Sequence, residues 1–120
     1  NVPVALLEGC ADPFSHKVVR ASMGAVFRRD ITVTTWEEAR DACHQAGISL
    51  AVTALRETAR DIRQADVGTM AVVIGSEGQG LTDETIAACS STVRIPMTDR
   101  VESLNAGVAG SVLLWHFRGV

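Results

Sequence analysis

No apolar run in this 120-residue chain approaches the roughly 20 residues that a helical membrane span requires. No stretch has the pattern of a signal peptide. Cys10, Cys43 and Cys89 are scattered, odd in number and without CxxC spacing. That argues against a disulfide framework, for reduced thiols packed in a core, and for a cytoplasmic protein. His16, His44 and His116 lack metal-ligand spacing, so no metal is implied. The net charge of −3 rules out a general nucleic-acid coat, and any polyanion site has to be local. There is no internal repeat, no low-complexity segment and no linker. The length suits one domain, residues 1–120, and hydrophobic residues at 47% are enough for a real core.

What is present is an alternation of strand and helix. Short apolar runs at Val2 to Leu7, Ile31 to Val33, Ser49 to Leu55, Met70 to Ile74 and Thr92 to Ile95 read as strands. Helical spacing runs from Ser15 to Phe27 and from Trp36 to Ala46, the latter with Thr35 as N-cap and Gly47 as stop. A short helix is expected over Asp83 to Cys89 and a long one over Ser103 to Phe117. The polar stretch Arg56 to Gly68 reads as surface. The alternation predicts an α/β layer fold with a mostly parallel sheet and helices on both faces.

Ligands in such sheets sit beyond the carboxyl ends of strands. After the strand ending at Ile74 comes "GSEGQG", Gly75 to Gly80. Its spacing is neither the Gly-x-Gly-x-x-Gly of dinucleotide folds nor a P-loop, and it fails the Gly-x-Ser-x-Gly nucleophile pattern. Two readings stand together: a turn needing positive φ, or main chain stripped of side chains so that a ligand can approach. Beyond Pro96, the last helix is apolar nearly all round, which predicts burial on several sides. Gly107 and Gly110 within it each cost about 1 kcal/mol relative to Ala, and suggest backbone meeting backbone. Ser103 and Asn105 stand at its entrance, as caps or as site residues.

"VIGSEGQGL", "IPM" and "SLNAGVA", with "DPFSHKVVRASMGAVF" upstream, resemble the SpoU (TrmH-like) branch of the SPOUT RNA methyltransferases over essentially the whole chain. The resemblance implies a C-terminal trefoil knot and a homodimer. It implies S-adenosylmethionine held by Gly75, Glu77, Gly78, Gly80, Ile95, Met97 and Leu104, largely through main chain. The implied chemistry is methyl transfer to a ribose 2′-hydroxyl of tRNA or rRNA, with Glu77, Ser103 and Asn105 at the catalytic positions. For Glu77 a carboxylate favoured by the following helix N-terminus is the plainer reading.

Lys17, Arg20, Arg28 and Arg29 form a local basic cluster, and Arg100 lies before Ser103. Lys17, Arg20 and Arg100 are candidates to meet RNA, against the reading of a solvated surface. The chain departs from the family in lacking Asn-x-Gly-x-x-x-Arg, whose arginine activates the hydroxyl. The 120 residues are therefore expected to be the cofactor-binding portion of a methyltransferase whose amino-terminal part lies outside the chain. A knotted module that binds cofactor or RNA without catalysis is the alternative, and a nucleotide-binding α/β domain of another kind is a third.

Overall fold

A computed structural model describes residues 2–65, 68–76 and 80–118. The chain divides into two compact units, Asn1–Gln45 and Ala46–Val120.

In the first unit β1 (Val4–Leu6) pairs in parallel with β2 (Ile31–Val33), Ala5 opposite Thr32. Between them α1 (His16–Ala21) starts at Ser15, whose hydroxyl accepts from Val18 N. The helical period predicted as far as Phe27 stops at Ala21. Met23 (φ 52°) and Gly24 (φ 76°) turn left-handed, and a 3-10 turn follows over Ala25–Arg28. After β2 comes α2 (Trp36–Gln45). Glu38 N donates to Thr35 Oγ1 at 3.2 Å while Glu38 Oε2 accepts from Thr35 N at 3.3 Å, a reciprocal capping box. Hydrogen bonds from Thr34 Oγ1 and from the Thr35 amide hold the Glu38 carboxyl below its ordinary value. Gly47, at φ 68°, ends this segment as expected.

The second unit is built on a four-stranded parallel sheet in the order β4 (Arg60–Asp61), β6 (Ser91–Arg94), β3 (Ser49–Thr53), β5 (Met70–Val73). α3 (Asp83–Ala87) joins β5 to β6, and α4 (Ala106–Phe117) closes the chain. Parallel pairing predicts strands buried on both faces, and β3 fits, with Ala51 and Val52 almost fully buried. Ile62, Val93 and Leu113 form the core cluster, with Val72, Ile95, Val112 and Phe117 packed against it.

Four expectations are corrected here. The stretch from Arg56 to Gly68 does not merely wrap the surface: Ala59 and Ile62 are buried, and Arg60–Asp61 is an edge strand. Its polar side chains mask two apolar anchors. The last helix is not buried on several sides: Leu113 is buried, while Val108, Leu114 and Trp115 are exposed. Nor do its glycines admit a neighbouring backbone. A Cβ on Gly110 would meet Ile74 Cδ1 at 3.3 Å, and one on Gly107 would meet Asn105 Oδ1 at 3.2 Å, side-chain atoms in both cases. Cys10 is exposed, so core packing holds only for the half-buried Cys43 and Cys89.

Candidate functional site

Because β3, β5 and β6 run parallel, their carboxyl ends, Thr53, Val73 and Arg94, lie along one edge of the sheet. A cavity of about 340 Å³ opens there, within the second unit. That volume falls in the ~300–1,000 Å³ range of small-molecule sites. Ile86 of α3 lines the cavity, and most of its walls come from four other places. The end of β3 supplies Thr53 to Arg56, and the glycine loop supplies Gly75, Ser76, Gly80 and Leu81. The segment after β6 supplies Ile95, Met97, Ser103 and Leu104, and α4 supplies Ala106 and Ala109.

The glycine loop closes on itself. Gly80 N donates to Ser76 O at 3.0 Å, these two residues forming an antiparallel bridge. Gly80 has φ 62°, which favours glycine. A Cβ on Gly75 would stand 2.9 Å from Leu81 Cγ and 3.0 Å from Gly80 C. The first glycine is thus required by the loop's own return, whatever else approaches it. Thr53 Oγ1 donates to Val73 O at 3.3 Å, joining two of the strand ends that border the cavity.

Of the predicted residues, Gly75, Gly80, Ile95, Met97, Ser103 and Leu104 come together around this cavity. Glu77 and Gly78 lie outside the described residues. Asn105 caps α4: its Oδ1 accepts from Gly107 N at 3.0 Å and Val108 N at 3.2 Å. Ser103 and Asn105 are both exposed. Lys17 and Arg20 stand three apart on α1 in the first unit, and Arg100 is in the loop after β6; all three are exposed. The ion pairs among the described residues are Arg40–Asp41, Arg56–Asp83 and Arg63–Asp61, and none involves Lys17, Arg20 or Arg100.

Sequence reasoning missed the wall formed by Thr53 to Arg56. The strand-end rule applied to β5 and β6 would have found it at β3 as well. It also missed Arg56, a cavity cation paired across to Asp83 in the first turn of α3. The other cation on the wall is Arg94. No described lining side chain is an acid, a histidine or a lysine. Farther off, hydrogen bonds from the Arg63 side chain and amide push the Asp61 carboxyl down to about 2, and burial raises the Cys89 thiol. No cluster of metal-binding side chains occurs among the described residues.

The SpoU rRNA Methylase family matches residues 2–115. A 23S rRNA (guanosine(2553)-2′-O)-methyltransferase of Bacillus subtilis is 29% identical over 118 residues, covering 97% of this chain and 47% of that protein. A tRNA (guanosine(18)-2′-O)-methyltransferase of Thermus thermophilus is 40% identical over 73 residues, 60% of this chain and 38% of its own length. Among solved structures, an AdoMet-bound rRNA methyltransferase from Sinorhizobium meliloti superposes with a TM-score of 0.87 at 32% identity, covering 97% of this chain and 45% of that one. The chain thus spans about half or less of the length of these relatives.

Proposed function

The chain belongs to the SpoU rRNA methylase family, and from that premise we propose that the protein transfers a methyl group from S-adenosylmethionine to a ribose 2′-hydroxyl of rRNA or tRNA. The observation that carries this reading is the cavity at the carboxyl ends of β3, β5 and β6, built from the segments that bear the family's motifs. The residues present fit the cofactor. The loops after β3, β5 and β6 all line the cavity, and Ile95, Met97 and Leu104 offer apolar surface to an adenosyl group. When bound, the cofactor supplies an electrophilic methyl on its sulfonium. The protein's part is to hold the ribose in line and remove its proton.

Ser103 on the wall and Asn105 beside it place the ribose. Glu77 takes part in orienting the reacting groups, and Gly78 in holding the cofactor. Lys17, Arg20 and Arg100 meet phosphates. The strand order supports a knotted C-terminal half, since β6 enters between β4 and β3 after the chain has already laid β5 on the sheet edge. Exposed Val108, Leu114 and Trp115 on α4 support a homodimer through that helix. Among the described residues no helix is long and apolar enough to cross a membrane, and a cytoplasmic location rests on the proposed action on RNA.

One observation favours the second reading, a module that holds cofactor or RNA without catalysis. No described side chain lining the cavity is an acid, a histidine or a lysine. Calorimetry with S-adenosylmethionine and a tritium-methyl assay on bulk rRNA and tRNA separate the two. Cofactor binding with 2′-O-methylated product supports the enzyme. Binding without product supports the module, and no cofactor binding refutes both the site and the reaction.

A further inference from the structure

We propose that Phe14 and Phe27 form a platform on which an unpaired base of the RNA stacks, with Lys17, Arg20 and Arg28 holding the adjoining phosphates; this rests on the RNA-methyltransferase reading. The chain has only three Phe, two Trp and no Tyr. Two of these few aromatics lie in water together: Phe14 is 58% and Phe27 68% exposed. Their rings stack on each other with centroids 5.9 Å apart and planes 25° from parallel. Each ring therefore keeps a face turned away from its neighbour, and rings buried only against each other leave apolar surface wet.

The backbone is shaped to bring them together. Asp12 Oδ1 accepts from Phe14 N at 2.9 Å, fixing the approach to α1. Past the end of α1, Met23 and Gly24 turn left-handed, and Gly24 N donates to Val19 O at 3.1 Å. That reversal sends the 3-10 turn back along the helix and carries Phe27 to Phe14. Met23, itself 90% exposed, adds a third apolar side chain at the corner.

Charge decides the occupant. The stretch from Pro13 to Arg29 holds four of the chain's eleven Lys and Arg and none of its fourteen acids. Lys17 and Arg20 lie on consecutive turns of α1, and Arg28 follows Phe27 directly. No ion pair among the described residues neutralises these three. Aromatic faces amid unpaired cations suit single-stranded nucleic acid, whose bases stack while its phosphates pair with the charges. A duplex offers only its phosphates here, because its bases are already stacked.

Anisotropy of a fluorescein-labelled single-stranded RNA of mixed sequence tests this on the full chain, with the same strand annealed to its complement as control. Phe14→Ala and Phe27→Ala should each weaken single-strand binding about tenfold, with little change for the duplex. Phe27→Trp should retain affinity. Phe27→Leu, which keeps apolar bulk and fold but has no π-face, should lose it. Cofactor affinity by calorimetry should be unchanged in all four variants. If the wild type binds single strands and Phe27→Leu binds them equally well, the platform is wrong while the RNA reading stands. If the wild type binds neither strand nor duplex, the RNA reading fails and the platform with it. A change in sedimentation without a change in RNA binding would make the patch a protein contact and overturn the inference.

Discussion

Gly75 and Leu81 are packed so closely that a Cβ on the glycine would fall 2.9 Å from Leu81 Cγ, with the Gly80 and Leu81 main chain at 3.0 and 3.1 Å. The two ends of the glycine loop meet, and they line the cavity proposed for the cofactor. A side chain at 75 would open the loop before it met any ligand. Gly75→Ala should therefore cost about 1–3 kcal/mol of stability, as overpacking does, and should abolish S-adenosylmethionine binding. Thermal unfolding beside calorimetry checks this: retained stability with lost binding would instead mean that the ligand itself occupies the space.

Asn105 is both cap and candidate catalytic residue, and the two roles can be separated. Asn105→Ala removes an acceptor for two amides and should cost about 1 kcal/mol of stability. Asn105→Ser and Asn105→Asp keep a capping oxygen and should be nearly as stable as wild type. If Asn105 also places the ribose, these capped variants should lose turnover while keeping cofactor affinity. Turnover equal to wild type in Asn105→Ser would leave only the cap.

The two glycines of α4 should respond differently to alanine. At Gly110 the new methyl meets only the flexible end of Ile74, so Gly110→Ala should gain up to about 1 kcal/mol from helix propensity. At Gly107 the methyl meets Asn105 Oδ1, the atom that caps the helix, and the gain should shrink or reverse. Urea midpoints of the two variants, measured together, test the contrast.

Asp61 ties β4 to the turn after it, accepting from the Arg63 amide at 2.9 Å and from its guanidinium at 2.5 to 3.1 Å. With its pKa pushed from the ordinary 3.8 to about 2, the folded chain favours the ionised form. The resulting stability is present in full above the ordinary value and is lost as pH falls from there towards 2. Asp61→Asn should flatten the fall in denaturation midpoint over that acid interval and leave the neutral-to-alkaline profile parallel to wild type.

Trp115, 72% exposed beside Leu114 at 53%, is the residue on which the proposed dimer depends most. Trp115→Glu should shift sedimentation equilibrium towards monomer while Leu113, buried beneath, keeps the helix seated. A wild type that sediments as a monomer at micromolar concentration would refute the dimer through α4.

Much of this protein was legible in local sequence. Thr35 ahead of α2 and Gly47 after it follow short-range rules of capping and backbone freedom, and each is where the pattern places it. The apolar runs located β3, β5 and β6, and the strand-end rule pointed to the loop from Gly75 to Gly80, while Ile95 and Leu104 followed from the family resemblance. The family motifs were likewise readable, because motif order is a property of sequence.

Other features depended on contacts between residues far apart in the chain. Whether an apolar helix is buried depends on what packs against each side, so composition could not say that Trp115 faces water while Leu113 is in the core. The polar stretch from Arg56 to Gly68 hid Ala59 and Ile62, because two buried side chains leave no periodicity. Gly75 read as room for a ligand, and the fold adds that Leu81 packs against it as well, a contact visible only in three dimensions. The meeting of Phe14 with Phe27 required the left-handed turn at Met23, a conformation that nothing in a helical period predicts for methionine.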